Sequence, residues 1–399
     1  MEASTAANSS ASTTAGKETT VLRTFTFSSY MTMAMVVSYF PLYFLDQGYT
    51  ESQIGILYST GPFISIFANL ILGIASDRYR TIKKIMILLL FGQLVMVSFL
   101  FTTDSFIAVC FIMTAFYFFQ QPMNPLTDSL ILLSSQYTGT PYALVRIFGS
   151  LGFASAAFVF GQLLRQTGSS ATLIICAFTI LVTLLLSFKL RDYQGSLRKM
   201  EFGGFFKLIR KPEIVTFFVF VLIISIAHRM YEGFLAVTLR QMGASDSLVG
   251  IAWLISATSE IPILFLLGKY GHKFKELPLL AIASLMYAVR FWLIGHITSP
   301  MWVIPIQLMH SVTFAIYFAT ALRYISTVIP DEYRASGQAV YAVVWSGFAG
   351  IVSGTVGGSI YEHFGRGAFF QLAMVLALVA SAGFMAKHFL SRPPKDTLL

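Results

Sequence analysis

Charge is what this chain has least of. Only 11% of its 399 residues are Asp, Glu, Lys or Arg, against about 25% in a soluble domain. A water-soluble enzyme with a polar shell is therefore excluded. Cysteine is nearly absent too. Cys110 and Cys176 both fall in apolar runs with no metal-ligand spacing, so free thiols are expected, with no disulfide and no zinc centre. No P-loop, nucleophile motif or His/Cys cluster with metal spacing occurs, which argues against an enzyme, an ATP-driven pump or a cofactor site. No cleavable signal peptide is visible.

What is present is apolar length. Hydrophobic residues make up 56% of the chain and the mean hydropathy is +0.73. A membrane span needs about 20 such residues. Twelve candidates are read at 22–45, 54–76, 84–102, 106–133, 142–164, 171–189, 214–239, 248–269, 277–297, 301–325, 335–359 and 367–390. The Ser/Thr/Ala-rich residues 1–20 are expected to be a disordered cytoplasmic tail. An N-terminal bundle then covers 21–189, a cytoplasmic linker 190–213, a C-terminal bundle 214–390 and a second tail 391–399. With both termini inside, 21 of the 27 Lys and Arg fall on the cytoplasmic side and 3 on the outer side. That asymmetry obeys the positive-inside rule. It also places the net charge of +9 at the membrane face, so no nucleic-acid partner is implied.

The halves repeat. Residues 46–56, DQGYTESQIGI, match 240–251, RQMGASDSLVGI, at an offset of 195, pairing Gly48 with Gly243 and Gly55 with Gly250. The same offset pairs GIASDRYR (73–80) with GKYGHKFK (268–275). Two related six-helix bundles follow, an arrangement used by transporters that bind solute near the midplane between repeats.

The remaining charges sit inside spans, where an ionised side chain costs roughly 2.5–3.5 kcal/mol on insertion scales. Asp128 and Arg146 lie on either side of a short polar turn at about 135–141, at depths that let them pair across antiparallel neighbours. The pair either fixes helix packing or handles solute and protons. His228, Arg229 and Glu232 are spaced to share one helix face. Glu260 precedes Pro262 and either bonds the backbone freed by that proline or serves in transport. His310 is either satisfied by a neighbouring helix or functional. Arg290 has no partner nearby in sequence, which favours function. The glycines of 347–358 suit close helix packing.

GIASDRYRTIKK, after the second span, resembles the signature loop of the major facilitator superfamily, with Arg80 where glycine is usual. The resemblance implies a gate made by Gly73, Asp77, Arg78 and Arg80, with Gly73 allowing close helix contact. A closer resemblance covers nearly the whole chain. It is to the branch holding lactose permease, nucleoside–proton symporters and the 3-phenylpropionate permease. The acidic–arginine pair of that branch matches Asp128 and Arg146, eighteen residues apart. The run Arg146 to Phe153 looks like the sugar-binding segment, with Phe153 in place of tryptophan, which argues against a galactoside. Glu260, Arg290 and His310 fall where that permease has its essential glutamate, arginine and histidine. Thr313 stands in place of the glutamate three residues after the histidine. HRMYEGF (228–234) and Pro125 to Asp128 are similar to stretches of the phenylpropionate permease.

The expectation is an all-α membrane protein of the major facilitator fold, monomeric, multi-pass in the plasma membrane, without cofactor. It would carry a small organic solute (an aromatic acid, nucleoside or sugar) together with protons. Solute contacts are expected from Asp128, Arg146, Phe153, Arg290 and His310. Proton coupling is expected from Asp128, His228, Glu232 or Glu260, since burial pushes carboxyl groups toward protonation. The alternative is a drug or lipid efflux antiporter of the same fold.

Overall fold

The computed structural model describes residues 2–193, 210–330 and 334–390. Most of the expected linker and the tail 391–399 lie outside them. Among the described residues every regular element is helical. Apolar runs of this length leave the backbone no partner in lipid but itself, and helices satisfy it within the segment.

In chain order the helices are α1 (Glu2–Ser38), α2 (Phe40–Asp46), α3 (Glu51–Tyr79), α4 (Lys83–Leu100), α5 (Phe106–Gln120), α6 (Met123–Thr138), α7 (Tyr142–Thr167) and α8 (Thr172–Ser187). Then come α9 (Pro212–Gln241), α10 (Asp246–Tyr270), α11 (Glu276–His296), α12 (Val303–Leu308), α13 (Ile316–Val328), α14 (Arg334–Ala342) and α15 (Ala349–Leu390). Two π-helical turns, Ser311–Ala315 and Val343–Phe348, interrupt the later spans. Such bulges concentrate at functional sites.

Ten helical stretches among the described residues are long and apolar enough to cross a membrane. One of them, Val340–Leu390, is broken at Gly365 (φ 75°, ψ 176°) and so covers the last expected span and most of the one before it. The first expected span, 22–45, falls on α1 and α2 and is not among the ten.

The residues of the expected tail 1–20 fall within α1, which begins at Glu2. The C-terminal part of that tail is anchored. Glu18 accepts bonds from Arg191 and Tyr193, each at 2.9 Å. Once a turn is fixed, an alanine-containing segment extends as helix at little further cost.

Backbone contacts divide the chain into two compact units. The first holds Met1–Gly48, Phe63–Arg198 and Ser245–Leu254; the second holds Tyr49–Pro62, Lys199–Ala244 and Ile255–Leu399. They depart from the expected bundles at 49–62 and 245–254, the segments related by the repeat offset. The repeated glycines explain the exchange. A Cβ at Gly55 would strike the carbonyl oxygen of Gly354, within the second unit. One at Gly250 would strike that of Ala157, within the first. Only glycine permits backbones to cross so closely. In the first unit α1 packs on α7 and α8, with Ser28 and Thr183 bonded at 2.6 Å between them. In the second, α9 and α11 both pack on α15.

Candidate functional site

Each unit carries one charged cluster. In the first, α6 ends at Gly139 (φ 70°), and α7 starts three residues later. This tight turn sets Asp128 and Arg146 side by side. Arg146 Nε lies 3.1 Å from Asp128 Oδ1, and the two side chains are 30% and 36% exposed. The Tyr142 hydroxyl donates to the same carboxylate oxygen at 3.0 Å. The Arg146 guanidinium lies over the Tyr30 ring, 4.5 Å from its centroid, an attractive cation–π geometry. The expected pair therefore forms. Phe153, two turns on, meets Trp253 edge-on with ring centroids 6.1 Å apart.

The second unit's cluster is larger and deeper. Arg290 on α11 is fully buried. One terminal nitrogen contacts His310 Nδ1 at 2.9 Å and donates to Thr313 Oγ1 at 3.2 Å. The other donates to the Tyr231 hydroxyl at 2.9 Å and to Gln307 Oε1. Tyr231 donates to the same Gln307 oxygen at 2.6 Å, and its ring lies 4.4 Å beneath the guanidinium. His310 Nε2 is 2.9 Å from Glu260 Oε1.

This wiring fixes a tautomer. A guanidinium only donates, so His310 Nδ1 must accept, and the ring proton sits on Nε2, aimed at Glu260. Thr313, where the resembled permease has a glutamate, accepts from Arg290. Among the described residues it leaves the guanidinium with no carboxylate as a hydrogen-bond partner.

Alongside, His228 Nδ1 is 3.1 Å from the Tyr287 hydroxyl, and His228 Nε2 is 3.3 Å from Glu232 Oε1. Arg229 donates to Glu232 Oε2 at 2.8 Å. Arg229 also reaches the second π-helical turn, bonding Trp345 O at 3.3 Å and Ser346 Oγ at 2.7 Å. Phe314, from the first π-helical turn, lies beside both imidazoles, with its centroid 5.2 Å from His228 and 5.0 Å from His310, which are themselves 6.3 Å apart.

The three carboxylates thus differ in partner. Asp128 and Glu232 each meet an arginine, which stays charged at any working pH. Glu260 meets a histidine held neutral by its other neighbour. For Glu260 the structure shows the contact with the His310 side chain. Tyr30, Tyr142, Tyr231, Tyr287 and Gln307 escape a search for buried charge because they carry none. For Tyr142, Tyr231 and Tyr287 the only sequence signal is a polar atom within one helical turn of a charged residue; Tyr30 and Gln307 lack even that.

The gate residues are more open. A Cβ at Gly73 meets nothing within 4 Å, so the close helix contact expected there is not made in this conformation. The Asp77 side chain lies outside the described residues. Arg78 and Arg80 are exposed, with no ion pair to another described residue. The loop is instead held by Asp192. Its carboxylate accepts from Thr81 Oγ1 and from the amides of Ile82 and Lys83, the latter two at 3.0 and 3.1 Å. A negative charge at the amino end of α4 is favourable there. Among the described residues no three His, Cys, Asp or Glu side chains group to hold a metal ion.

The model of the MFS_1 like family matches residues 19–372. The Probable 3-phenylpropionic acid transporter of Escherichia coli (strain K12) is 27% identical over 357 residues, covering 88% of this chain and 93% of the relative. The Uncharacterized transporter YwbF of Bacillus subtilis (strain 168) is 25% identical over 354 residues, covering 88% of each chain. The crystal structure of the nucleoside transporter NupG superposes with a TM-score of 0.83 at 16% identity, covering 94% of this chain and 99% of that one. At that identity the likeness shows a shared fold.

Proposed function

The chain belongs to the MFS_1 like family, whose members are membrane transporters and not enzymes, and we propose that it carries a small organic solute in symport with protons by alternating access. The observation that carries this reading is the partnership of Glu260. It is the one carboxylate of the three whose partner is a neutral ring and not a permanent cation. A carboxyl group so placed exchanges a proton without leaving a bare arginine in the membrane. When Glu260 takes a proton, the Nε2–H of His310 loses the anion it points to. Arg290 still holds His310 from the other side. Proton binding is thereby converted into a loosened contact between α10 and the segment carrying His310.

Solute binding is assigned to the first unit's cluster, where Arg146 and Asp128 retain exposed surface above the buried Tyr30 and Phe153 lies two turns away. Arg146 offers the bidentate donor pattern that suits a carboxylate or paired hydroxyls. Relatives named for 3-phenylpropionic acid, maltose and nucleosides span that chemistry. Arg290, expected to hold solute directly, is already bonded to four neighbours, and its proposed role is to position His310. His228 and Glu232 are proposed to tie α9 to the second π-helical turn through Arg229. Gly73, Asp77, Arg78 and Arg80 are proposed to form the inner gate. The positive-inside pattern supports a plasma-membrane protein with both termini cytoplasmic, acting as a monomer.

The test is uptake into proteoliposomes under an imposed proton gradient, with 3-phenylpropionate, maltose and a nucleoside as probes. Wild type should concentrate one of them. Glu260→Gln should lose gradient-driven accumulation while retaining solute exchange at zero gradient. Accumulation undiminished in Glu260→Gln would remove that residue from coupling.

A further inference from the structure

A groove on the second unit is used by none of this. It has a volume of about 470 Å³ and is lined by Trp292 and Leu293 of α11 with Trp302, Pro305, Ile306 and Met309 of the following segment. That volume lies within the roughly 300–1,000 Å³ typical of small-ligand sites. We propose that it binds one acyl chain of a phospholipid, with the headgroup phosphate at His296 and Arg366.

The occupant follows from where the groove opens. Both walls belong to stretches able to cross a membrane, Glu276–His296 and Pro300–Val328. Trp292 and Trp302 flank it with 49% and 61% of their surface exposed. A face so apolar on a spanning helix is covered by lipid. Tryptophan at the end of a span marks the headgroup level, so the groove runs inward from that level. Its mouth changes character in the same sense. His296, Ile297 and Thr298 lie there, and Arg366 donates to the Ile297 carbonyl at 3.0 Å. This puts a guanidinium beside the opening, where a phosphate would sit.

A resident lipid must differ from the passing ones. Lipid tails gain nothing by leaving other tails, so selective residence needs shape and a headgroup contact. Groove and arginine supply both. The inner end of the groove is Met309, which precedes His310. The Met309 carbonyl accepts from the Thr313 amide at 2.9 Å and from its hydroxyl at 2.8 Å. An acyl chain against Met309 therefore braces the backbone that carries His310. The binding claim itself is independent of the transport reading.

Native mass spectrometry of the full-length protein tests it, in detergent supplemented with palmitoyl-oleoyl phosphatidylglycerol. Wild type should retain one lipid that survives delipidating washes. Leu293→Trp, which fills the groove, should lose it, and Arg366→Gln should retain it about fivefold less. Leu285→Trp, on an exposed part of α11 away from the groove, should behave as wild type. Thermal unfolding of each variant checks that it is folded. Equal retention in wild type and Leu293→Trp, or equal loss in Leu285→Trp, would show annular lipid only and overturn the site. So would retention of detergent with no phospholipid.

Discussion

The two charged clusters solve the same problem in opposite ways. In the first unit, Asp128 and Arg146 neutralise each other directly, with Tyr142 and Tyr30 as supports, and about a third of each charged side chain stays open. In the second unit, Arg290 is buried and shares its charge among His310, Thr313, Tyr231 and Gln307. A direct pair can open to admit a solute at modest cost, because exposed pairs contribute about 0.2–1 kcal/mol. A dispersed network cannot, because each buried group it abandons costs about 1–3 kcal/mol. This contrast supports the proposed division, with binding at the first cluster and proton-linked positioning at the second.

The largest expected effect breaks the comparison on stability. Arg290→Met strands Tyr231, Gln307 and His310, and should destabilise the protein by several kcal/mol, on the order of 1–3 kcal/mol per orphaned group. Arg146→Met should cost less, because it strands Asp128 alone, which keeps the Tyr142 hydroxyl as a donor. Thermal unfolding in detergent measures both. Equal losses would mean that the two clusters do not differ as described.

Next is the division of labour. Glu260→Gln should reduce gradient-driven accumulation by about tenfold or more, the scale on which a positioned proton carrier acts. Asp128→Asn should keep gradient dependence and instead raise KM for uptake by several-fold, as about 1 kcal/mol of lost positioning implies. Measuring KM and accumulation ratio in both variants sharpens the contrast. Should Asp128→Asn abolish coupling while Glu260→Gln spares it, the assignments must be exchanged.

What the sequence disclosed divides along the same line. Spacing alone put Asp128 opposite Arg146, because both flank one short turn and helical rise fixes their depth. The contact of Glu260 with His310 joins residues fifty positions apart, and nothing local specifies it. Gln307 and Tyr231 were illegible for another reason: uncharged polar side chains are cheap enough in spans to attract no notice. The repeat predicted two related halves. It did not reveal that its own glycines, Gly55 and Gly250, carry their segments into the other unit, since a close crossing depends on the facing helix. The α1 helix was missed because Ser and Thr read as tail, whereas anchoring by Arg191 and Tyr193 lies far along the chain.

That pair of glycines yields a third, smaller test. Gly55→Val and Gly250→Val each press a side chain into a facing carbonyl, and overpacking costs typically about 1–3 kcal/mol. Because the two crossings are related by the repeat, the two losses in unfolding temperature should be similar. A loss confined to one would show that the crossings are not equivalent.

The smallest effect concerns the paired loops. Arg80 and its repeat mate Lys275 occupy matching positions, yet their backbones differ. Arg80 has φ 51°, the only positive φ at a non-glycine among the described residues; Lys275 has φ −68°. The left-handed region costs an L-residue about 1–2 kcal/mol. Asp192 holds the first loop by the amides of Ile82 and Lys83, which forces the turn at Arg80. In the second loop Arg323 grips the carbonyls of Gly271 and Phe274 and pairs with Glu276 at 3.0 Å, and no such turn is needed. Arg80→Gly should therefore stabilise the protein, by about 0.5–1 kcal/mol once the greater freedom of unfolded glycine is subtracted. Lys275→Gly should destabilise it by a similar amount, because there the glycine brings freedom and relieves no strain. Opposite signs at two positions related by the repeat are a result that charge removal alone does not produce. Two shifts of the same sign would place the effect in the lost basic charge and not in the backbone.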